Sequence, residues 1–200
     1  IVLTLVLGAL LSPHAAGGQD KREQGSYAEM RAYLGELFQQ KKYAEAIVEY
    51  RNAGKLDPKS ADAHTRLGEV YLKTNNASKA VNEFLAAADL RPNDEPLQIR
   101  AAQFLMAGRR FEDARKRAEQ VLRLNPSHVE AQVIKGVAIA GLNDFETAID
   151  DINEAITLDP RNATSYAALG AVELGRHRAS EAEAAFKRAV ELDAASGAAH

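Results

Sequence analysis

The sequence predicts an all-α solenoid of stacked antiparallel helix pairs, and three observations carry that prediction. Pro58, Pro92, Pro126 and Pro160 recur every 34 residues, inside four phrases of one type: KLDPKS, DLRPND, RLNPSH and TLDPRN. In that register, position 30 of the unit is leucine in every row (Leu56, Leu90, Leu124, Leu158, Leu192). Position 20 is always alanine (Ala46, Ala80, Ala114, Ala148, Ala182). A fixed period in this range marks an architecture whose units bury their apolar faces only against one another.

The chain opens on an apolar run, IVLTLVLGALL, followed by SPHAAGGQDKREQG. Residues 1–24 thus read as the core of an export signal, a small-residue cleavage region and a linker. The run is too short to cross a bilayer, which takes about 20 residues. The expected setting is therefore outside the cytoplasm, periplasmic or secreted, with membrane contact only if the segment stays uncleaved.

The repeat domain is expected over residues 25–194, with units at 27–60, 61–94, 95–128, 129–162 and 163–196 and a truncated further unit opening at 195–200. Within each unit, positions 4, 8 and 11 share one face of a first helix, and positions 20, 24 and 27 share one face of a second. Position 8 reads Leu34, Gly68, Ala102, Gly136, Gly170, so small side chains let the paired helices approach closely. Position 24 reads Tyr50, Phe84, Ala118, Ile152, Phe186, mostly large residues that fill the space between units. Ala118 departs from that column, with Val121 and Leu122 placed to compensate. Each stop phrase ends the second helix, because proline lacks an N–H and disfavours helix in the residue before it. Asp57, Asn125, Asp159 and Asp193 are suited to begin the turn. Ala194 stands where a fifth proline would fall.

Composition excludes several functions. The chain has 200 residues, a formal charge of −3 and a pI near 6.0, which gives no long-range pull toward nucleic acid. It has no cysteine, hence no thiolate metal site and no cysteine nucleophile. His14, His64, His128, His177 and His200 lack a ligand partner three or four residues away, and phosphate-binding glycine loops and nucleophile elbows are missing. Asp150 with Asp151, and Glu181 with Glu183, are the acidic pairs that an acid/base reading would need. Both lie on second helices, where charges normally meet solvent. No catalytic residue, cofactor or metal is expected, and the protein reads as non-enzymatic.

Leu67, Gly68, Tyr71, Ala80, Phe84, Ala87 and Pro92 in the unit 61–94 resemble the tetratricopeptide repeat (TPR) family, and the resemblance runs from about Tyr27 to Ala194. It implies a right-handed superhelix whose concave groove is lined by first helices at positions 2, 5, 6, 9, 12 and 13, where a protein or peptide partner lies. Carried onto this chain, the groove is polar at its start, with Arg31 and Arg66, and apolar later. Its expected contacts are Arg31, Arg66, Arg100, Ile99, Gln103, Met106, Val133, Val137 and Leu174. The expected ligand is an extended or helical segment whose acidic part meets the arginines, which suit carboxylates through their planar fork. The apolar groove residues would otherwise pack against neighbouring helices. The family's carboxylate clamp lacks its asparagines here, since Gly35, Arg66 and Glu69 fill the columns, and its asparagine ladder is replaced by Ala32, Arg66, Arg100, Ile134 and Ala168.

The resemblance thus implies a protein-binding scaffold within an exported or cell-envelope assembly. Its alternative is the recruiting portion of a longer enzyme, such as a transferase. Self-association through an uncapped last repeat is a further expectation.

Overall fold

The computed structural model describes residue 33 and residues 35–197, all of them helix or short connection. Residues 1–24 and Arg31 lie outside this range, as do residues 198–200. The chain divides into two compact units, Ile1–Ala80 and Val81–His200.

In the first unit, helical residues 35–39 precede α1 (Tyr43–Leu56) and α2 (Ala61–Lys73), and α3 (Ala77–Leu90) begins. Ala46, Tyr50 and Ala53 of α1 and Gly68 and Tyr71 of α2 are buried at columns the periodicity selects, and Leu67 and Val70 are buried beside them. The second unit holds the rest of α3, then α4 (Glu95–Ala107), α5 (Phe111–Leu124), α6 (Val129–Gly141), α7 (Phe145–Leu158), α8 (Ala163–Gly175) and α9 (Ala179–Gly197). Helices successive from α4 to α9 pack on one another, as connections this short require of antiparallel neighbours. In addition α4 touches α6 and α6 touches α8, so the first helices of these three repeats form a continuous layer.

The repeated phrases act as joints. At the first, Asp57 Oδ1 accepts from the Lys59 N–H at 3.1 Å, and Ser60 Oγ accepts from the Ala63 N–H at 3.3 Å, capping α2. Asp94 caps α4 through the Leu97 N–H (3.1 Å), His128 Nδ1 caps α6 through the Ala131 N–H (3.2 Å), and Asn162 caps α8 through the Ser165 N–H (2.9 Å). The last residue of each of the first four repeats is therefore an N-cap, satisfying a donor that the first turn leaves open. Asp159 begins its turn by accepting from the Arg161 N–H at 3.0 Å, while Asn125 accepts from the Ser127 hydroxyl. Asp193 starts no turn among the described residues. With Ala194 in place of proline, α9 runs 19 residues where α5 and α7 run 14, and the boundary expected near residue 195 falls inside one helix.

Between the two helices of each pair, a second device recurs at position 15. Lys41, Asn75, Arg109, Asn143 and His177 all have left-handed backbone, with φ from 56° to 70°. Asparagine tolerates that region, whereas the other three residues carry the cost of a Cβ held near a carbonyl.

The core of the second unit is a run of clusters, each shared by neighbouring helices. Ile152, Ala148 and Ala155 of α7 pack with Val133 and Ile139 of α6 and with Ala168 and Val172 of α8. Ala118 is fully buried beside Val121, Ile99, Ala102, Ala131 and Ile134, and Met106 and Leu122 close over that group. The small residue at position 24 is thus compensated from both neighbouring helices. Gly136 is where helix backbones come closest: a Cβ there would lie 2.8 Å from Ile152 Cγ1 and 2.9 Å from the Ala148 carbonyl oxygen.

Position 4, expected on an apolar stripe, is polar and buried at Gln98 and Gln132. Gln98 is fully buried; its Nε2 donates to the carbonyls of Ala88 (2.6 Å) and Arg91 (3.1 Å), and its Oε1 accepts from Arg117 at 2.9 Å. It thereby fills carbonyls left open at the end of α3. Gln132 likewise donates to Asp151 (3.1 Å) and Glu154 (2.7 Å), and Lys135 Nζ lies 2.7 Å from Asp151 Oδ1.

Gly136→Ala should destabilise the fold by about 1–3 kcal/mol in urea titration, because the backbone of α7 must move. That outweighs the gain of about 1 kcal/mol in helix propensity. Gly108→Ala, whose Cβ would meet nothing nearer than 3.5 Å, should be close to neutral. At position 15, His177→Gly should stabilise by about 0.5–1 kcal/mol and His177→Val should destabilise, measured the same way.

Candidate functional site

The layer formed by α4, α6 and α8 presents the groove columns, and the structure sorts their residues into wall and core. On α4, Arg100 and Gln103 are exposed. The Arg100 guanidinium sits 4.7 Å from the centre of the Phe84 ring, which stacks on Phe104 at 5.1 Å. A cation over an aromatic face is attracted by its electron density, which favours this placement of Arg100. Gln103 Nε2 donates to Glu130 Oε1 at 2.7 Å, tying α4 to the start of α6. That bond joins position 9 of one repeat to position 2 of the next, which places both columns on the same surface.

Ile99 and Val133 are placed elsewhere. They are only 6% and 7% exposed, and each packs into a core cluster, so neither offers the wall more than an edge. The cause is that α6 is flanked by α4, α5, α7 and α8 and must be apolar on several sides. Met106 is half-buried between two clusters, and Val137 and Ala140 are half-buried against the cluster around Ile152. On α8, Thr164, Ala171 and Leu174 are exposed. On this layer Arg100, Gln103, Glu130 and Ala171 are thus exposed, and Val137 and Ala140 are half-buried.

Arg66 belongs to the first unit, on α2. Its guanidinium meets Glu69 Oε2 at 2.9 Å, and that hydrogen bond, with the carboxylate's charge, holds Arg66 above its ordinary pKa. Arg31 lies outside the described residues.

The acidic pairs do not assemble into dyads. Asp151 is buried against Lys135, contrary to the expectation of a solvated face, while its neighbour Asp150 is exposed. Glu181 is held below the ordinary carboxylate range by a backbone hydrogen bond and by Arg178 at 3.2 Å; Glu183 faces another side of α9. His128 serves as a helix cap, with Nε2 3.9 Å from Glu95. Among the described residues no group of three or more His, Asp or Glu side chains is placed to hold a metal ion, and no helix is long and apolar enough to cross a membrane. A separate hollow of about 350 Å³ beside α5 is lined by Asp89, Arg110, Asp113, Lys116 and Arg117. Its cations are already engaged, Arg117 by Asp89, Arg110 by Asp113 at 2.7 Å and Lys116 by Glu112 at 3.5 Å.

Similarity to known proteins bears on this surface. The chain is 29% identical over 136 residues to stress-induced-phosphoprotein 1 of Caenorhabditis elegans, covering 64% of this chain and 40% of that protein. It is 33% identical over 93 residues to a probable UDP-N-acetylglucosamine–peptide N-acetylglucosaminyltransferase, SPINDLY, of Arabidopsis thaliana, covering 46% of this chain and 10% of that protein. The chain therefore spans less than half the length of either relative. Among solved structures it resembles MamA residues 41 to the end from Desulfovibrio magneticus RS-1, with TM-score 0.68, 20% identity and coverage of 90% and 98% of the two chains. It also resembles YrrB, a TPR protein with an unusual peptide-binding site, with TM-score 0.67, 18% identity and coverage of 89% and 93%. A family model described as TPR repeat matches residues 36–75, and others described as tetratricopeptide repeat match residues 61–94, 99–163 and 140–199. With its 34-residue joints, its close-packed helix pairs and these matches, the chain belongs to the tetratricopeptide repeat family and has its all-α solenoid fold.

Proposed function

We propose that the protein is a non-enzymatic interaction scaffold that holds a peptide or helical segment of a partner protein on the α4–α6–α8 wall. The observation that supports this reading is the Gln103–Glu130 bridge, which ties the first helices of two repeats whose groove columns also carry the exposed Arg100 and the half-buried Val137 and Ala140. Such an arrangement suits an amphipathic segment, whose apolar side chains lie on Val137, Ala140 and Ala171 and whose acidic groups turn toward Arg100. The naming of YrrB as a protein with a peptide-binding site, on a fold this chain shares, supports the same use.

A second reading rests on the 93-residue match to a glycosyltransferase: the repeats would serve as the recruiting portion of a longer enzyme. The wall does the same physical work in either case, presenting one polypeptide to another. Export is part of the proposal and rests on the apolar run at residues 1–11.

Ala171→Arg tests the wall. The residue is exposed on α8, and arginine is nearly as good a helix former as alanine. Helicity and melting temperature should be unchanged, while retention of a partner captured by the unaltered chain should fall by about tenfold or more. Undiminished capture by the folded variant refutes the assignment. Export predicts that, on expression with a complete leader, the secreted chain begins downstream of Leu11; amino-terminal sequencing of the product decides it.

A further inference from the structure

Ser60, Asp94, His128 and Asn162 cap first helices from one place in the repeat, and they differ in how the acceptor responds to a proton. Ser60, Asp94 and Asn162 accept through oxygen. His128 accepts through Nδ1, 3.2 Å from the Ala131 nitrogen. A ring nitrogen accepts only while it carries no proton, and histidine is the side chain whose ordinary change of charge falls between pH 5 and 8.

The donor that relies on this cap is buried. Ala131 is the third residue of α6, so its N–H has no partner within the helix. It is fully buried in the cluster with Ala118, Val121 and Ile134, which joins the repeats 95–128 and 129–162. Water cannot take the place of the ring unless the turn opens, because a buried donor left without an acceptor is unfavourable. The backbone of His128 is held separately: its N–H donates to the Asn125 carbonyl at 3.1 Å, and its carbonyl accepts from the Gln132 N–H at 3.1 Å. A proton on the ring therefore acts on the cap and leaves the path of the joint in place.

The far side of the ring faces a carboxylate. Nε2 lies 3.9 Å from Oε2 of Glu95 on α4, and Asn125 Nδ2 is 3.5 Å from the same oxygen. Around this end of α6 the other charged groups are Arg123, exposed in the last turn of α5, and Glu154 on α7, which accepts from Gln132. On α6 itself Glu130 accepts from Gln103, and α8 carries no charged residue before Glu173. Among the described residues Glu95 is the ion-pair partner of His128. We propose that His128 is a pH-operated cap: neutral, it closes the first turn of α6, and protonated, it releases the Ala131 N–H and gives its charge to Glu95 of the preceding repeat.

The sign follows from what each form gains. The neutral ring holds the cap. The charged ring loses it and places a positive charge at the positive end of α6, with only a partly exposed carboxylate to offset this. The stability that the cap contributes is thus present above the histidine range and lost as pH falls through it. The joint between these two repeats loosens in acid, while the caps at Ser60 and Asn162 have no group that titrates there. Glu130 lies in the same first turn, so its bridge to Gln103 loosens with it. None of this depends on what the wall binds.

NMR of the full chain tests the cap directly. At pH 8 the imidazole nitrogen shifts should report Nδ1 without a proton and Nε2 with one. Between pH 8 and pH 5, exchange of the Ala131 amide, corrected for its intrinsic pH dependence, should accelerate about fivefold or more. In His128→Asn, which carries the cap residue of α8, that acceleration should be missing; His128→Ser, with the cap residue of α2, serves as a second control. The melting temperature of the unaltered chain relative to His128→Asn should fall over the same interval, and Glu95→Gln should enlarge the fall. A neutral ring protonated at Nδ1 overturns the proposal, as does an acid response that His128→Asn and His128→Ser share. An acid response unchanged by Glu95→Gln overturns the transfer of charge to Glu95.

Discussion

The closeness of first and second helices within a pair is the constraint on which the rest of the second unit depends. Gly136 brings α6 within van der Waals reach of the α7 backbone at Ala148, and Ile152 fills the remaining space. At that separation the two helices behave as one block, whose other faces must match the blocks on either side. Phe111 answers that demand by lying against Gly141 of the next repeat, and Phe145 does the same against Gly175. The aromatic ring sits in the first turn of a second helix and the glycine at the end of the following first helix, so each pair is registered on its successor. Contacts this close pass a displacement of one helix on to its neighbour. The 34-residue period is the sequence image of this repeated fit.

Much of that was legible because the determinants are local and repeated. A proline that ends a helix, an alanine that tolerates close approach and a leucine beside the stop recur where their causes recur. The caps at Ser60, Asp94, His128 and Asn162 escaped notice because four different side chains perform one task, accepting from an N–H three residues on. Only the shared position following each proline pointed to them. Gln98 and Gln132 were hidden for the opposite reason: periodicity identifies a buried face but not whether its occupant is apolar. Their polarity makes sense only with the α3 carbonyls and the Asp151 carboxylate in view. The left-handed turns at position 15 likewise leave little trace, since lysine, arginine and histidine occupy them beside two asparagines.

The wall was less legible than the fold, and Ile99 and Val133 show why. Position 5 lies between the groove and the core, so an apolar residue there satisfies either role in a sequence. Its size decides. A β-branched side chain finds more contacts in the layer between helices than on a shallow surface and sinks inward, as both residues do. Ala167 at the same position of the next repeat stays half-exposed. Gln103 gave a better signal than any apolar residue, because an amide at an inner-layer position needs a partner, and it finds one in Glu130 across the repeat boundary.

This division of labour separates binding from stability. Residues at positions 20, 24 and 27 are consumed by packing, as the full burial of Ala148, Ile152 and Ala155 shows, and substitution there acts through the fold. Positions 2 and 9 carry Glu130, Gln103 and Ala171, which the core does not need, so they are free to differ between repeats. The same reasoning gives α9 its unusual standing. Phe186 stands at position 24, fully buried at Phe84, Ala118 and Ile152, yet it is 37% exposed.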